Sequence, residues 1–216
     1  MMLESPAATP AGYLLVGSAA LFIVGAGLAP ETPDVFTAPL RGHLEILNRR
    51  AARWRLMNGM MIASVLGTAT GLWLMVAVLA NAGDGWRGIV AASGYSLGAG
   101  LWVLSMAFRH TTVVAAARET ARSGEIPAWL EPLQEWTGLM YWIYMVVAYT
   151  AISIIGWAII RTDVIGDGVG WFAVIFGYAF GLAFVTKQPR TPWGPIADLP
   201  VLIHFPTLVF GIALLK

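Results

Sequence analysis

Three histidines have the widest chemical range of the side chains in this sequence, because imidazole can transfer protons and can bind a metal ion or a haem iron. His43 and His110 stand near arginines, whereas His204 stands in an apolar segment two residues before Pro206. Proline removes the helical hydrogen bond to the carbonyl four residues earlier, that of Leu202. His204 therefore combines a titratable ring with a broken helix, which makes it a candidate site residue.

Two interpretations of these histidines stay open. The topology derived below puts all three on one side of a membrane, where they could enclose a metal ion, or two of them could hold a haem. Alternatively, His43 and His110 are surface residues, and the ring of His204 bonds the carbonyl that Pro206 leaves free. We favour the second interpretation and predict no metal and no cofactor, with haem as the alternative.

An aromatic stripe is the second candidate site. Trp142, Tyr149, Ser153 and Trp157 follow one another at spacings of seven, four and four, which puts them on one face of a helix. Together with His204 they could line a pocket for a flat or amphipathic ligand. The same pattern is typical of packing between two helices, with the hydroxyl groups bonded to nearby backbone carbonyls.

Other chemistry is limited by what the sequence lacks. It contains no cysteine, which excludes disulfides, thiolate metal sites and cysteine nucleophiles. Apart from His204, no ionisable residue falls inside an apolar segment, whereas proton and ion pathways usually carry such residues. It has no Walker motif, no HExxH motif and no histidine-rich box. We therefore lean towards a protein that is not an enzyme.

The elements that hold these residues are set by composition. Of the 216 residues, 58% are hydrophobic and 12% are charged, and the mean hydropathy is +0.71. A soluble domain carries about 25% charged residues, so lipid is the main solvent of this chain. The net charge of +1 offers no field that would attract nucleic acid. We expect membrane lipids as partners, together with other membrane subunits or a second copy of the chain.

Six apolar segments are about long enough to cross the hydrocarbon layer, which takes about 20 residues of helix. They cover residues 11–29, 56–80, 88–108, 137–160, 169–186 and 199–215. The first has no basic residue before it, so we interpret it as a retained helix and not as a secretory signal. The prediction is an all-α polytopic membrane protein, with residues 1–216 forming one domain of about six transmembrane helices with cytoplasmic helical extensions.

The stretch 38–80 organises the rest of the chain. Its first part carries five arginines and its second part, from Leu56, carries no charge. Each arginine at the centre of a membrane helix costs about 2.5–3.5 kcal/mol, so five cost more than roughly ten. We therefore predict that a single helix leaves water and enters lipid near Trp54 and Arg55.

The connections between the segments differ in charge. The first, third and fifth carry Arg41, Arg49, Arg50, Arg53, Arg55, Arg109, Arg118, Arg122, Lys187 and Arg190. The second and fourth connections and the C-terminus carry Arg87, Arg161 and Lys216. The positive-inside rule then predicts cytoplasmic arginine-rich loops and both termini outside, in a bacterial-type inner or cell membrane.

Two of these connections have their own patterns. Residues 109–122 extend the third segment as a helix until Ser123 and Gly124 end it, and Pro127 opens a short interfacial helix. The apolar side of that short helix would carry Trp129, Leu130, Leu133 and Trp136. The fifth connection is rich in proline, which predicts a non-helical loop.

Small residues recur every four positions in three segments, a spacing that lets helix backbones approach closely in lipid. We predict helix packing at Gly59, Ala63, Gly67, Gly71, Gly94, Gly98, Gly177 and Gly181. The tripeptide Gly-Leu-Trp recurs at 71–73 and 100–102 on segments of opposite direction. Such a repetition is also seen in transporters built from inverted repeats.

The tetrapeptide N58GMM61 is similar to a short stretch of the styrene oxide isomerases, a family of small haem-binding membrane enzymes. That family has a ligand histidine a few residues earlier, where this chain has Arg53 and Trp54. The resemblance covers four residues and implies no haem ligand in this chain.

We therefore expect a subunit or assembly partner of a membrane complex, or a membrane protein that handles a small molecule. One alternative is a haem- or metal-dependent membrane oxidoreductase or isomerase that uses the histidines. The other is a small transporter with an inverted repeat.

Overall fold

The structure is a computed structural model that describes residues 5–32, 34–186 and 199–216. Within these residues the chain forms helices and no strands. The helices are α1 (Ala8–Gly27), α2 (Asp34–Thr37), α3 (Leu40–Asn81), α4 (Gly85–Ser123), α5 (Leu130–Thr162), α6 (Asp167–Thr186), a 3₁₀ turn (Pro200–Ile203) and α7 (His204–Leu214). The proline-rich fifth connection lies outside the described residues.

The prediction of an all-α membrane bundle is confirmed. In the described part of the chain, α1, α3, α4, α5 and α6 are long and apolar enough to cross a membrane. The sixth predicted segment forms a shorter apolar helix over Pro200–Leu214. Consecutive long helices pack side by side, and α7 packs against α1, so that the two ends of the bundle meet.

The arginine-rich and apolar parts of the stretch 38–80 both lie in α3, but the prediction of one continuous helix holds only in part, because two helical pieces meet at a kink. At about 1.5 Å per residue the 42 residues of α3 span about 63 Å, twice the hydrocarbon thickness. The helix is kinked at Arg50, where φ is −121° and ψ is 27°. The N-terminal part of α3 therefore extends beyond the apolar bundle and lies at an angle to it.

The third connection is partly as predicted. Helix α4 continues to Ser123, and Gly124 ends it in the left-handed conformation with φ of 79°. The separate short helix after Pro127 is wrong, because α5 begins at Leu130 and runs without a break into the fourth predicted segment. Leu130 is buried in the core. The other residues of its proposed apolar side are exposed, namely Trp129, Leu133 and Trp136.

Glycines bring neighbouring helices together at several of the predicted positions. A Cβ atom added to Gly71 would lie 2.8 Å from Leu15 of α1, and one added to Gly67 would collide with the hydroxyl of Ser18. Likewise, a Cβ on Gly177 would lie 2.6 Å from the carbonyl of Tyr149. At Gly177 the backbone of the facing helix occupies the space of a side chain, whereas at Gly67 and Gly71 side chains of α1 occupy it.

The remaining ridge positions differ. Added Cβ atoms on Gly98 and Gly181 would lie 3.4 Å from Tyr144 and 3.3 Å from Tyr149, and that on Gly94 would make an ordinary contact. Gly59 faces open space and Ala63 is exposed, so the predicted packing role of these two residues is wrong. At this level Met57 and Met60 of α3 face α1 at Gly25. A four-residue period advances slightly more than one helical turn per step, so Gly59 and Ala63 lie on a different side of α3 from Gly67 and Gly71.

Two close contacts between glycines lie outside the packing positions predicted from the sequence. A Cβ on Gly156 of α5 would lie 2.7 Å from the carbonyl oxygen of Gly170 in α6. A Cβ on Gly211 of α7 would lie 2.9 Å from the carbonyl oxygen of Gly12 in α1. At both points two helix backbones are in direct contact.

Candidate functional site

The helical extensions at the arginine-rich end enclose a cavity of about 340 Å³. It lies between α2 and the polar halves of α3, α4 and α5. The residues that line it are Val35, Phe36, Ala38, Leu40, His43, Trp54, Phe108, Arg109, Val113, Gln134 and Thr137. Three of the apolar segments predicted from sequence begin or end beside Trp54, Phe108 and Thr137, so the cavity lies at the lipid–water boundary of the bundle.

Arg109 supplies the positive charge of this cavity. Its side chain is half-buried on α4. Among the described residues, no carboxylate lies within 4.0 Å of its guanidinium. The ion pairs found there join Glu31 to Arg49 and Arg50, and Asp84 to Arg87 and Arg161. A guanidinium that is partly removed from water and has no anionic partner offers its N–H donors to a ligand.

His43 supplies an acceptor. Its Nδ1 atom lies 2.6 Å from the carbonyl oxygen of Val35, which can only accept, so Nδ1 carries the proton. His43 precedes the membrane-spanning part of α3, and burial lowers its pKa, with a further decrease from the charge of Arg109. The ring is therefore neutral near pH 7, and its Nε2 atom carries a lone pair that can accept a hydrogen bond.

Trp54 forms part of the cavity wall. Its side chain is 1% exposed, and its indole Nε1 donates a 2.9 Å hydrogen bond to the carbonyl of Arg109. The ring of His43 meets the indole edge-on, with centroids 5.6 Å apart. One turn further along α3, Asn58 donates to the carbonyl of Trp54 at 2.8 Å. Trp54 thus contacts both the backbone of Arg109 and the ring of His43.

An arginine clamp lies at the kinked part of α3. Arg49 and Arg50 donate to the carboxylate of Glu31 at 2.9 and 3.4 Å, and Arg53 donates to the carbonyl of Leu28 at 2.7 Å. The hydrogen bond from Arg49 lowers the pKa of the Glu31 carboxyl, and Arg50 lowers it further. The clamp ties the loop after α1 to the kinked part of α3.

The predicted aromatic stripe packs against α6. Tyr149 is 1% exposed and its ring approaches those of Phe176 and Phe180, while Ser153 donates to the carbonyl of Tyr149 at 3.1 Å. The two tryptophans of the stripe lie at its ends, where the ring of Trp142 approaches Phe184 and that of Trp157 approaches Trp171. The structure does not bring His204 to this face.

His204 lies elsewhere, in the core between α1 and α7. Its ring is parallel to that of Phe22 within 30°, with centroids 4.1 Å apart, and the residue is 1% exposed. Neither ring nitrogen has a hydrogen-bond partner in the described structure. The expectation that the ring bonds the carbonyl of Leu202 is therefore wrong.

The three histidines have separate surroundings. His43 faces the cavity and His204 lies in the core. His110 has a buried Nδ1 atom for which the described part of the chain supplies no hydrogen-bond partner. Among the described residues, no three His, Asp or Glu side chains form a group that could hold a metal ion. The expectation that His43 and His110 are surface residues is wrong, because both are partly buried.

Part of this site is indicated by the ends of the apolar segments and not by any single segment. Arg109 follows the third apolar segment directly and Trp54 precedes the second, so both mark the membrane boundary. Aligning the ends of the second and third apolar segments at one membrane surface places Trp54 and Arg109 at the same depth. Gln134 carries no such signal, because it reaches the cavity only when α5 is continuous from Leu130.

No family model, curated protein or solved structure matches this chain significantly.

Proposed function

We propose that this integral membrane protein binds a small amphiphilic acid in the cavity at the arginine-rich end. The observation that carries the proposal is the half-buried guanidinium of Arg109, which lines the cavity without a carboxylate partner among the described residues. A carboxylate or phosphate group pairs with a guanidinium through two parallel hydrogen bonds. Ligand pockets commonly measure about 300–1,000 Å³, so this cavity suits a small ligand.

The other walls define the rest of the ligand. The Nε2 atom of His43 accepts from a hydroxyl or N–H group beside the acid, since its Nδ1 atom is committed to Val35. The rings of Phe36, Trp54 and Phe108 contact an apolar body. A 2-hydroxy acid with a short alkyl chain has all three features.

The proposal is tested by ligand-observed NMR on the purified protein in a neutral detergent, with 2-hydroxyoctanoate, octanoate and 2-octanol as probes. We expect affinity to decrease in that order. Arg109→Gln should weaken binding of both acids by about tenfold or more, since a charged hydrogen bond contributes roughly 1.5–3 kcal/mol. Partition into micelles is the same for both proteins and does not contribute to the difference.

The matched control is Arg118→Gln, which removes an exposed arginine from the same helix two and a half turns further on. This variant should bind the acids as the wild type does. Equal loss in both variants would show that the acids are attracted by the overall charge of this end and would contradict the proposal. If the wild type bound 2-octanol as tightly as it binds the two acids, the proposed role of Arg109 would be contradicted.

We further propose that the arginine-rich end faces the cytoplasm of a bacterial-type cell, with both termini outside. The charge difference between the connections supports this orientation. A ligand would then reach the cavity from the cytoplasmic leaflet or from the cytoplasm. No contact among the described residues favours the haem, transporter or subunit alternatives over ligand binding.

A further inference from the structure

Two arginines also converge at the opposite end of the bundle, where α4 begins and α5 ends. The Oδ2 atom of Asp84 lies 2.7 Å from Nη1 of Arg87 and 3.9 Å from Nε of Arg161. The side chain of Asp84 is 5% exposed, whereas that of Arg161 is 65% exposed. One buried carboxylate thus holds two guanidiniums together and leaves one positive charge in excess.

An apolar groove of about 440 Å³ begins at these arginines. The residues that line it besides the arginines are Trp86, Val90, Ile154, Trp157 and Ile160. Trp86 also lies under the guanidinium of Arg87, 4.4 Å from the ring centroid, which fixes the direction of that side chain. Because these residues belong to the apolar ends of α4 and α5, the groove opens towards lipid.

We infer that this groove binds an anionic phospholipid from the leaflet at this end of the bundle. The phosphate lies between Arg87 and Arg161, and an acyl chain follows Val90 and Ile154 towards the membrane centre. Trp86 and Trp157 lie at the level of the glycerol backbone, where tryptophan is enriched in membrane proteins. The excess positive charge selects a lipid with a net negative headgroup over a zwitterionic one.

The distribution of basic residues supports a local role for this pair. The sequence assigns Arg87, Arg161 and Lys216 to this side of the membrane, and it assigns the other ten basic residues to the opposite side. Two of these three therefore meet at one groove, on the side that the positive-inside rule disfavours. A bound anionic headgroup offsets the charge that is otherwise unfavourable there.

The test measures thermal stability and bound lipid by native mass spectrometry for the full chain in neutral detergent. Dioleoyl phosphatidylglycerol and dioleoyl phosphatidylcholine are added separately, and inorganic phosphate is added as a third arm. We expect one tightly bound phosphatidylglycerol, at an affinity at least about fivefold above that of phosphatidylcholine, since each basic residue near an anionic lipid contributes about 1 kcal/mol. Inorganic phosphate should not stabilise the protein, because it cannot fill the apolar groove.

Arg161→Gln is the informative variant, because Arg161 is exposed and only loosely paired, so the fold does not require it. It should abolish the preference for phosphatidylglycerol, and Trp157→Leu should weaken both lipids. Lys216→Gln, which removes the third basic residue of this side, should leave the preference unchanged. An equal affinity for both lipids, an equal effect of Lys216→Gln, stabilisation by free phosphate, or a concentration-dependent dimer in place of bound lipid would each overturn the inference.

Discussion

The indole of Trp54 donates to the backbone carbonyl of Arg109 at 2.9 Å, and this bond ties α3 to α4 at the level of the cavity. The donor side chain is 1% exposed. The same contact sets where the Arg109 guanidinium stands relative to His43. Stability and ligand binding therefore share one hydrogen bond at this point.

Trp54→Phe removes this donor while keeping an aromatic ring in place. Loss of one partner from a buried hydrogen bond costs about 1–3 kcal/mol, so we expect a lower melting temperature in detergent. Binding of 2-hydroxyoctanoate should also weaken, since Arg109 loses its support. Trp73→Phe is the control, because the Trp73 indole bonds Ser96 at an exposed position. If both variants melt alike, the bond to Arg109 has no special role.

Gly71→Leu should destabilise the bundle, whereas Gly59→Leu should not. The added side chain at Gly71 meets Leu15 at 2.8 Å, and overpacking of this kind costs about 1–3 kcal/mol. Gly59 lies on the same helix and faces open space. The measurement is the melting temperature of the two purified variants beside the wild type. Equal melting of both leucine variants would show that α1 and α3 are not packed at Gly71.

His204→Phe should melt at or above the wild-type temperature, and His204→Gln below the phenylalanine variant. Both ring nitrogens of His204 lack a partner among the residues that the structure describes, and replacing unpaired buried polar atoms by apolar ones is neutral or stabilising. Phenylalanine also keeps the ring contact with Phe22. The opposite order would mean that an unseen water or ligand satisfies the imidazole.

The arginine clamp predicts a pH dependence. The pKa of Glu31 is lowered in the folded protein, so the unfolded chain binds its proton first as the pH falls. The contribution of Glu31 to stability is therefore present above the unfolded pKa of 4.5 and is lost as the pH falls through the folded pKa. The difference in melting temperature between wild type and Glu31→Gln should shrink over this range. Glu119→Gln, at an exposed position on α4, should show no such trend.

The absence of native cysteine makes orientation directly measurable. Glu125→Cys reports the arginine-rich end and Gly168→Cys the opposite end, and both positions are exposed. In intact cells, an impermeant thiol reagent should label the cysteine at 168 and not the one at 125. Labelling of the cysteine at 125 alone would reverse the proposed topology. Permeabilised cells serve as the control in which both react.

Apolar length and charge predicted the helices well, because lipid leaves the backbone few alternatives. Helical structure on both sides of Arg50 could be predicted, since no proline stands between Leu40 and Asn81. The kink at Arg50 could not be predicted, because neither proline nor glycine marks this position and the contact of Arg50 with Glu31 appears only in the fold. Similarly, Pro127 predicts a helix start, yet α5 begins at Leu130, where burial of that leucine fixes the first turn.

The candidate site was harder to predict than the helices. A periodic pattern such as Trp142 to Trp157 shows which residues share a face, but not what the face meets. Here it meets α6 and forms packing contacts. Arg109 and His43 are far apart in sequence and become neighbours only through the fold. The contact between Gly156 and Gly170 could not be predicted for the same reason, because it exists only when α5 packs against α6.

The contact of Gly12 with Gly211 has a consequence for biosynthesis. Helix α1 is made first and α7 last among the described helices, and each covers the glycine of the other. At about 5–20 residues per second, the ribosome needs roughly 10–40 s to make the intervening chain. During that interval the glycine face of α1 stays open within the bilayer. The contact between α1 and α7 can therefore form only after the chain between them has been made.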